Sequence, residues 1–183
     1  MLLTFNPVFL KVRPSRVDGK RMALPSDSAQ IPQFRQKLEE ALVDPEPMCL
    51  AIIRVGESPD ATVDADDDEV DLEPVTDDEI MAAIQARLSY QLRRYDLMAR
   101  AEEDRFMLVV KTLADTRVLD ARMYQLYGAI AEPYMIGGRA ITVPISLGAA
   151  VRLPAESAAA LMQRADKALS TADAAGGKAP VLI

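Results

Sequence analysis

The sequence predicts a mixed α/β domain, and three features carry that expectation. Two short apolar runs, Met48-Cys49-Leu50-Ala51-Ile52-Ile53 and Phe106-Met107-Leu108-Val109-Val110, have the length and composition of buried strands. Apolar residues recur at helical spacing at Ile31, Phe34, Leu38 and Leu42, and again at Ile80, Ile84, Leu88 and Leu92. Residues 93–106 join the two patterns. They read as a helix end, a strand over Leu97-Met98-Ala99, a tight acidic turn at Glu102, Glu103, Asp104 and Arg105, and the start of the second apolar run. This is a hairpin with a charged tip.

Composition sets the outer bounds. At 183 residues the expectation is one domain, residues 22–183, preceded by an N-terminal arm at 1–21. Half of the residues are hydrophobic, enough for a packed core. Cys49 is the only cysteine, so no internal disulfide forms, which suits a reducing cytoplasm. There is no histidine, which removes the commonest general base and metal ligand. No apolar run approaches the ~20 residues needed to span a bilayer. The start, Met1-Leu2-Leu3-Thr4-Phe5-Asn6-Pro7, lacks a basic segment and is broken by Pro7, so neither a signal peptide nor membrane insertion is expected.

The net charge of −7 is unevenly spread. Residues 57–80 hold twelve acids and no base, which leaves 16 acids against 21 bases elsewhere. The chain reads as a mildly basic body carrying one acidic loop at 57–79. That loop includes Asp66-Asp67-Asp68-Glu69, but it lacks the ligand spacing and turn glycine of a calcium loop. A solvated segment is the expectation, and contact with a basic partner surface is its simplest role.

In order along the chain, Val8–Val12 is a candidate strand in the arm, broken by Pro14, Asp18 and Gly19. A helix follows at about 30–43, stopped by Pro45 and Pro47. After the first buried strand and the acidic loop, Thr76-Asp77-Asp78-Glu79 is a capping-box pattern opening the next helix. Arg93 and Arg94 fall near that helix's C-terminus, where cations are favoured. Beyond the hairpin a helix is expected from Asp115 or Thr116 to Ala131, with Val118, Leu119, Met123, Leu126 and Ile130 inward. Gly137-Gly138 reads as a turn between Tyr134-Met135-Ile136 and Ala140-Ile141-Thr142-Val143. Ile145-Ser146-Leu147-Gly148-Ala149 is a further strand. The last helix is expected at about 155–174 with Leu161, Ala165 and Leu169 inward and Gly176-Gly177 as its stop, before an edge strand at Pro180–Ile183.

The hairpin resembles the signature of the GGDEF domain, the fold of bacterial diguanylate cyclases. That family carries Gly-Gly-(Asp/Glu)-Glu-Phe at the turn, preceded by Asp-Leu-x-x-Arg. Asp96-Leu97, Arg100 and Phe106 match, and Asp104 keeps the family's acid. Glu102 and Glu103 replace the two glycines, and Arg105 replaces the fourth residue. The last helix resembles the family again at Arg164-Ala165-Asp166-Lys167-Ala168-Leu169, while Ser170 and Asp173 stand at its tyrosine and phosphate-contacting lysine. The resemblance covers roughly residues 24–183. It implies a central, mainly antiparallel, ferredoxin-like sheet with helices on its faces.

The resemblance implies the fold, and the departures argue against the reaction. In active cyclases the first strand ends in Asp-x-Asp, whose first carboxylate holds Mg²⁺ on the triphosphate; here the step is Arg54-Val55-Gly56. Glycines at the turn let backbone approach the nucleotide, and Glu102 and Glu103 add bulk and charge there. No cyclase activity and no cofactor are expected. The family also carries an Arg-x-x-Asp motif before the hairpin, an inhibitory site for the product, cyclic di-GMP. Arg93 and Asp96 match it, and Arg122 is the candidate second arginine. A guanidinium suits guanine O6 and N7 or phosphate, and a carboxylate suits the guanine N1 and N2 hydrogens. The expected function is a cyclic di-GMP receptor that signals to a protein partner and binds no nucleic-acid polymer. The alternative is a ligand-independent protein-interaction module. An enzyme of altered chemistry lacks both histidine and a nucleophile–base pair.

Overall fold

The computed structural model describes residues 30–58, 75–101, 104–112 and 115–183. The arm with its Val8–Val12 strand, most of the acidic loop, and Glu102 and Glu103 lie outside the described residues. Element order is α1 (Gln30–Val43), β1 (Met48–Val55), α2 (Asp77–Gln91), β2 (Leu97–Ala101), β3 (Arg105–Lys111), α3 (Arg117–Ala131), β4 (Tyr134–Ile136), β5 (Arg139–Ile141), β6 (Ile145–Val151), α4 (Ala158–Ala174) and β7 (Val181–Leu182).

Five strands form one sheet in the order β2-β3-β1-β6-β7. All neighbours are antiparallel except β6 and β7, which run parallel. β1 lies at the centre, and alternation along it divides the core. Cys49, Ala51, Ile53 and Val55 join the apolar layer containing Ile80, Ile84, Leu88, Leu119, Met123 and Leu126 of α2 and α3. Met48, Leu50 and Ile52 join the layer containing Phe34, Leu38, Leu161, Ala165 and Leu169 of α1 and α4. The sheet is therefore covered on both faces, which explains the unbroken apolar runs of β1 and β3.

Close approach seats α4. A Cβ added to Gly148 of β6 would lie 1.9 Å from the Leu169 backbone nitrogen, so only glycine allows this contact. At the far end, Gly176 (φ 77°) and Gly177 (φ 64°) turn the chain out of the helix in the left-handed region. Gly137 (φ 56°) and Gly138 (φ 80°) make the two-residue turn between β4 and β5, which form a separate two-stranded sheet.

Capping sets the helix starts. Thr76 and Glu79 form the reciprocal capping box expected for α2. α4 starts later than the expected residue 155. Ala155 has φ 57°, and Ser157 is the N-cap, its side chain accepting from Ala160 N. One side-chain expectation also changes. Val118 is 42% exposed, because Leu119, Met123, Leu126 and Ile130 define the buried stripe of α3 and Val118 lies beside it. Leu92 is the C-cap of α2, its N–H donating to Leu88 O, and it packs, partly buried, against the same apolar layer.

Candidate functional site

Two corners of the domain gather the residues singled out in the sequence. The first lies where β1 ends against the hairpin and α4. Arg54 shares the parity of Leu50 and Ile52, so its side chain leaves the sheet on the α4 side. It lies opposite Arg105 of β3 and opposite Ser146 of β6. The hairpin tip is tied to this strand end, with Val55 N donating to Asp104 O at 2.8 Å.

Two guanidinium groups opposite each other on neighbouring strands would repel. α4 supplies the compensating charge. Arg54 Nη2 lies 2.8 Å from Asp173 Oδ2, and Arg105 Nη1 lies 4.0 Å from Asp166 Oδ1, seven residues earlier on the same helix. Asp104 adds a second carboxylate 3.8 Å from Arg105 Nε. Asp173 is the more buried partner of its pair, with 16% side-chain exposure against 40% for Arg54. Its Oδ1 is buried with no hydrogen-bond partner among the described residues. The pair therefore joins residues distant in sequence, and the helix carries the anion while the strand carries the cation. Arg54 cannot ligate Mg²⁺, and its guanidinium occupies Asp173. Among the described residues, no group of three or more His, Cys, Asp or Glu could hold a metal ion. Among the described residues, the donor set at this strand end does not fit a hard dication.

The second corner is the turn after α2. Asp96 is buried, 4% exposed, and its carboxylate accepts two backbone N–H groups, from Arg93 at 2.8 Å and from Lys111 at 3.1 Å. It fastens the turn to the end of β3. Burial raises its pKa above the ordinary carboxylate value, against those two hydrogen bonds and the nearby Arg122 and Arg93 cations, which lower it. Arg122 of α3 donates to Gln91 O at the C-terminus of α2, a position where a cation is favoured. Arg93 is exposed, and its Nη1 donates to the Tyr95 hydroxyl at 3.0 Å. Arg94 and Tyr95 are exposed beside it.

The structure thus brings Arg93, Asp96 and Arg122 to one corner, and Arg54, Asp104, Arg105 and Asp173 to another. Phe106 takes no part in either surface, being fully buried in the layer under α2 and α3. Sequence reasoning missed Asp166 and Tyr95. The seven-residue spacing of Asp166 and Asp173 on one helix face was an available signal, and the Arg93–Tyr95 contact had none.

Residues 75–179 match the family model described as "Diguanylate cyclase, GGDEF domain". That stretch is more than half of the chain, and the chain belongs to the GGDEF domain family. The fold is shared with the GGDEF domain of TpbB (YfiN) from Pseudomonas aeruginosa, at TM-score 0.69 and 23% identity, over 82% of this chain and 87% of that one. It is shared with the GGDEF domain of DgcB from Caulobacter crescentus, solved in complex with c-di-GMP, at TM-score 0.63 and 18% identity, over 85% and 89%. The diguanylate cyclase SiaD, solved with its activator SiaC from Pseudomonas aeruginosa, aligns at TM-score 0.62 and 20% identity, over 81% of this chain and 58% of that one. No curated protein matches the chain. Among the described residues, no helix is long and apolar enough to cross a membrane.

Proposed function

We propose that this GGDEF domain does not condense GTP, and that it acts instead as a receptor for cyclic di-GMP that signals to a protein partner. The observation that carries the first half is the Arg54–Asp173 contact. Joining two GTP molecules requires metal ions to neutralise the triphosphates and cations to hold the phosphates. A guanidinium at the strand end opposes the metal, and a carboxylate on α4 opposes the phosphates. Each residue offsets the other's charge, so the pair also resists displacement by substrate.

The second half is supported by the corner at Arg93. Its guanidinium is exposed and, among the described residues, makes no ion pair, and both it and Arg122 act on Asp96. Arg93 would contact guanine or phosphate, Arg122 would add the second cation, and Asp96 would hold the turn that presents them. That DgcB was solved with c-di-GMP and SiaD with a protein activator supports the ligand and the partner named in this second half.

A ligand-independent interaction module is the second reading, favoured by the burial of Asp96, which withholds that carboxylate from a guanine edge. Two measurements decide. Incubation with GTP and Mg²⁺ should yield no cyclic dinucleotide by chromatography; product formation would overturn the first half. Calorimetry should detect cyclic di-GMP binding that Arg93→Ala abolishes. Absence of binding to the wild type would leave the interaction module.

A further inference from the structure

The proposed ligand corner contains one side chain with no assigned role whose chemistry fits it. Tyr95 lies two residues after Arg93, in the turn that Asp96 fastens, and is 44% exposed. Its hydroxyl accepts from Arg93 Nη1 at 3.0 Å. A phenol that accepts one hydrogen bond still has its own O–H to donate. Here that donor is polarised by the neighbouring cation and stands at the surface. The contact also restrains the guanidinium, a long side chain that would otherwise lose rotamer freedom on binding. Asp96 stands in contrast, since it is almost wholly buried and engages two backbone N–H groups.

We infer that Tyr95 is a specificity-determining residue of this corner, its hydroxyl donating to guanine O6 of a bound cyclic dinucleotide beside the Arg93 guanidinium. The inference rests on the receptor reading above. Guanine carries an acceptor at O6, where adenine carries a donor amine. A paired guanidinium and phenol, both donors on the ligand side, therefore select guanine and reject adenine. Asp96 acts through the backbone, as a positioning residue.

The test is calorimetry of the full chain and its Tyr95→Phe variant with cyclic di-GMP and with cyclic di-AMP, with thermal unfolding alongside. Phenylalanine keeps the ring and removes only the hydroxyl. The expected result is an about tenfold weaker affinity for cyclic di-GMP, as for the loss of one hydrogen bond to a well-placed partner. The preference over cyclic di-AMP should fall by a similar factor, with an unchanged melting temperature. If the variant binds like the wild type while Arg93→Ala does not bind, the inference fails and the receptor reading stands. Equal loss for both dinucleotides, or a lowered melting temperature that accounts for the loss, also overturns it by making Tyr95 merely structural. If the wild type binds neither dinucleotide, the receptor reading fails and takes the inference with it.

Discussion

Arg54 at the end of the central strand and Asp173 in the last turn of α4 form an ion pair of 2.8 Å, with the carboxylate the more deeply placed of the two. In the proposed reading, the pair stands where a cyclase would hold metal and phosphate, with cation and anion in exchanged places. Its energetics follow from the unequal burial. Removing the arginine strands a carboxylate whose other oxygen already lacks a hydrogen-bond partner among the described residues.

Arg54→Ala should therefore destabilise the domain by roughly 1–3 kcal/mol, towards the lower end because the guanidinium is partly solvated. The exchange Arg54→Asp with Asp173→Lys should recover most of that loss, since it restores a pair with reversed polarity. Urea unfolding of the wild type, both singles and the double closes the cycle. A vanishing coupling energy would show that the two side chains are neighbours without dependence.

Asp96→Asn should cost about 1–3 kcal/mol, because one amide oxygen cannot serve the N–H groups of both Arg93 and Lys111. The pH dependence has a definite sign. Burial, the leading influence, raises the folded pKa above the ordinary aspartate value of 3.8. The folded state then binds this proton more tightly than the unfolded chain. The stability so contributed is full below the unfolded pKa and is lost as pH rises through the raised folded pKa. The advantage of wild type over the asparagine variant should shrink as pH climbs through that window. An advantage that grows instead would mean that the backbone donors outweigh burial.

Gly148→Ala is a test of how closely α4 is seated. The new methyl would lie 1.9 Å from Leu169 N and 2.3 Å from Leu169 Cα, and backbone cannot swing aside as a side chain can. The loss should reach or exceed the roughly 1–3 kcal/mol of ordinary overpacking. A depressed melting temperature or loss of soluble protein is the expected readout. A variant as stable as the wild type would require a wider gap between sheet and helix.

Much of the architecture was legible in the sequence because single elements advertise themselves. The apolar runs of β1 and β3 are buried on both faces and need no alternation. Thr76 and Glu79 announce the start of α2, and Gly137-Gly138 announces a hairpin. Less was legible where neighbours decide. The Ala-rich opening of α4 gives no periodic cue, so the positive φ of Ala155 and the cap at Ser157 were invisible. Val118 looked apolar enough for the core, yet its position beside the stripe of Leu119 and Met123 exposes it. At the candidate sites the residue types were readable and the contacts were not. Arg54 and Asp173 were each noticed as a charge of unexpected sign, but only the packing of α4 across β1 makes them partners. Asp96 was readable as a motif carboxylate, while its engagement by two backbone groups depends on where β3 ends.

Side chains along β1 alternate between the two apolar layers, and Arg54 is the one cation in the strand. A slip of the strand by one position would drive that guanidinium beneath α2 and α3, among aliphatic groups that offer it no acceptor. The same substitution that we propose ended catalysis would then also serve as an alignment mark, penalising misthreaded versions of the sheet before they could be completed.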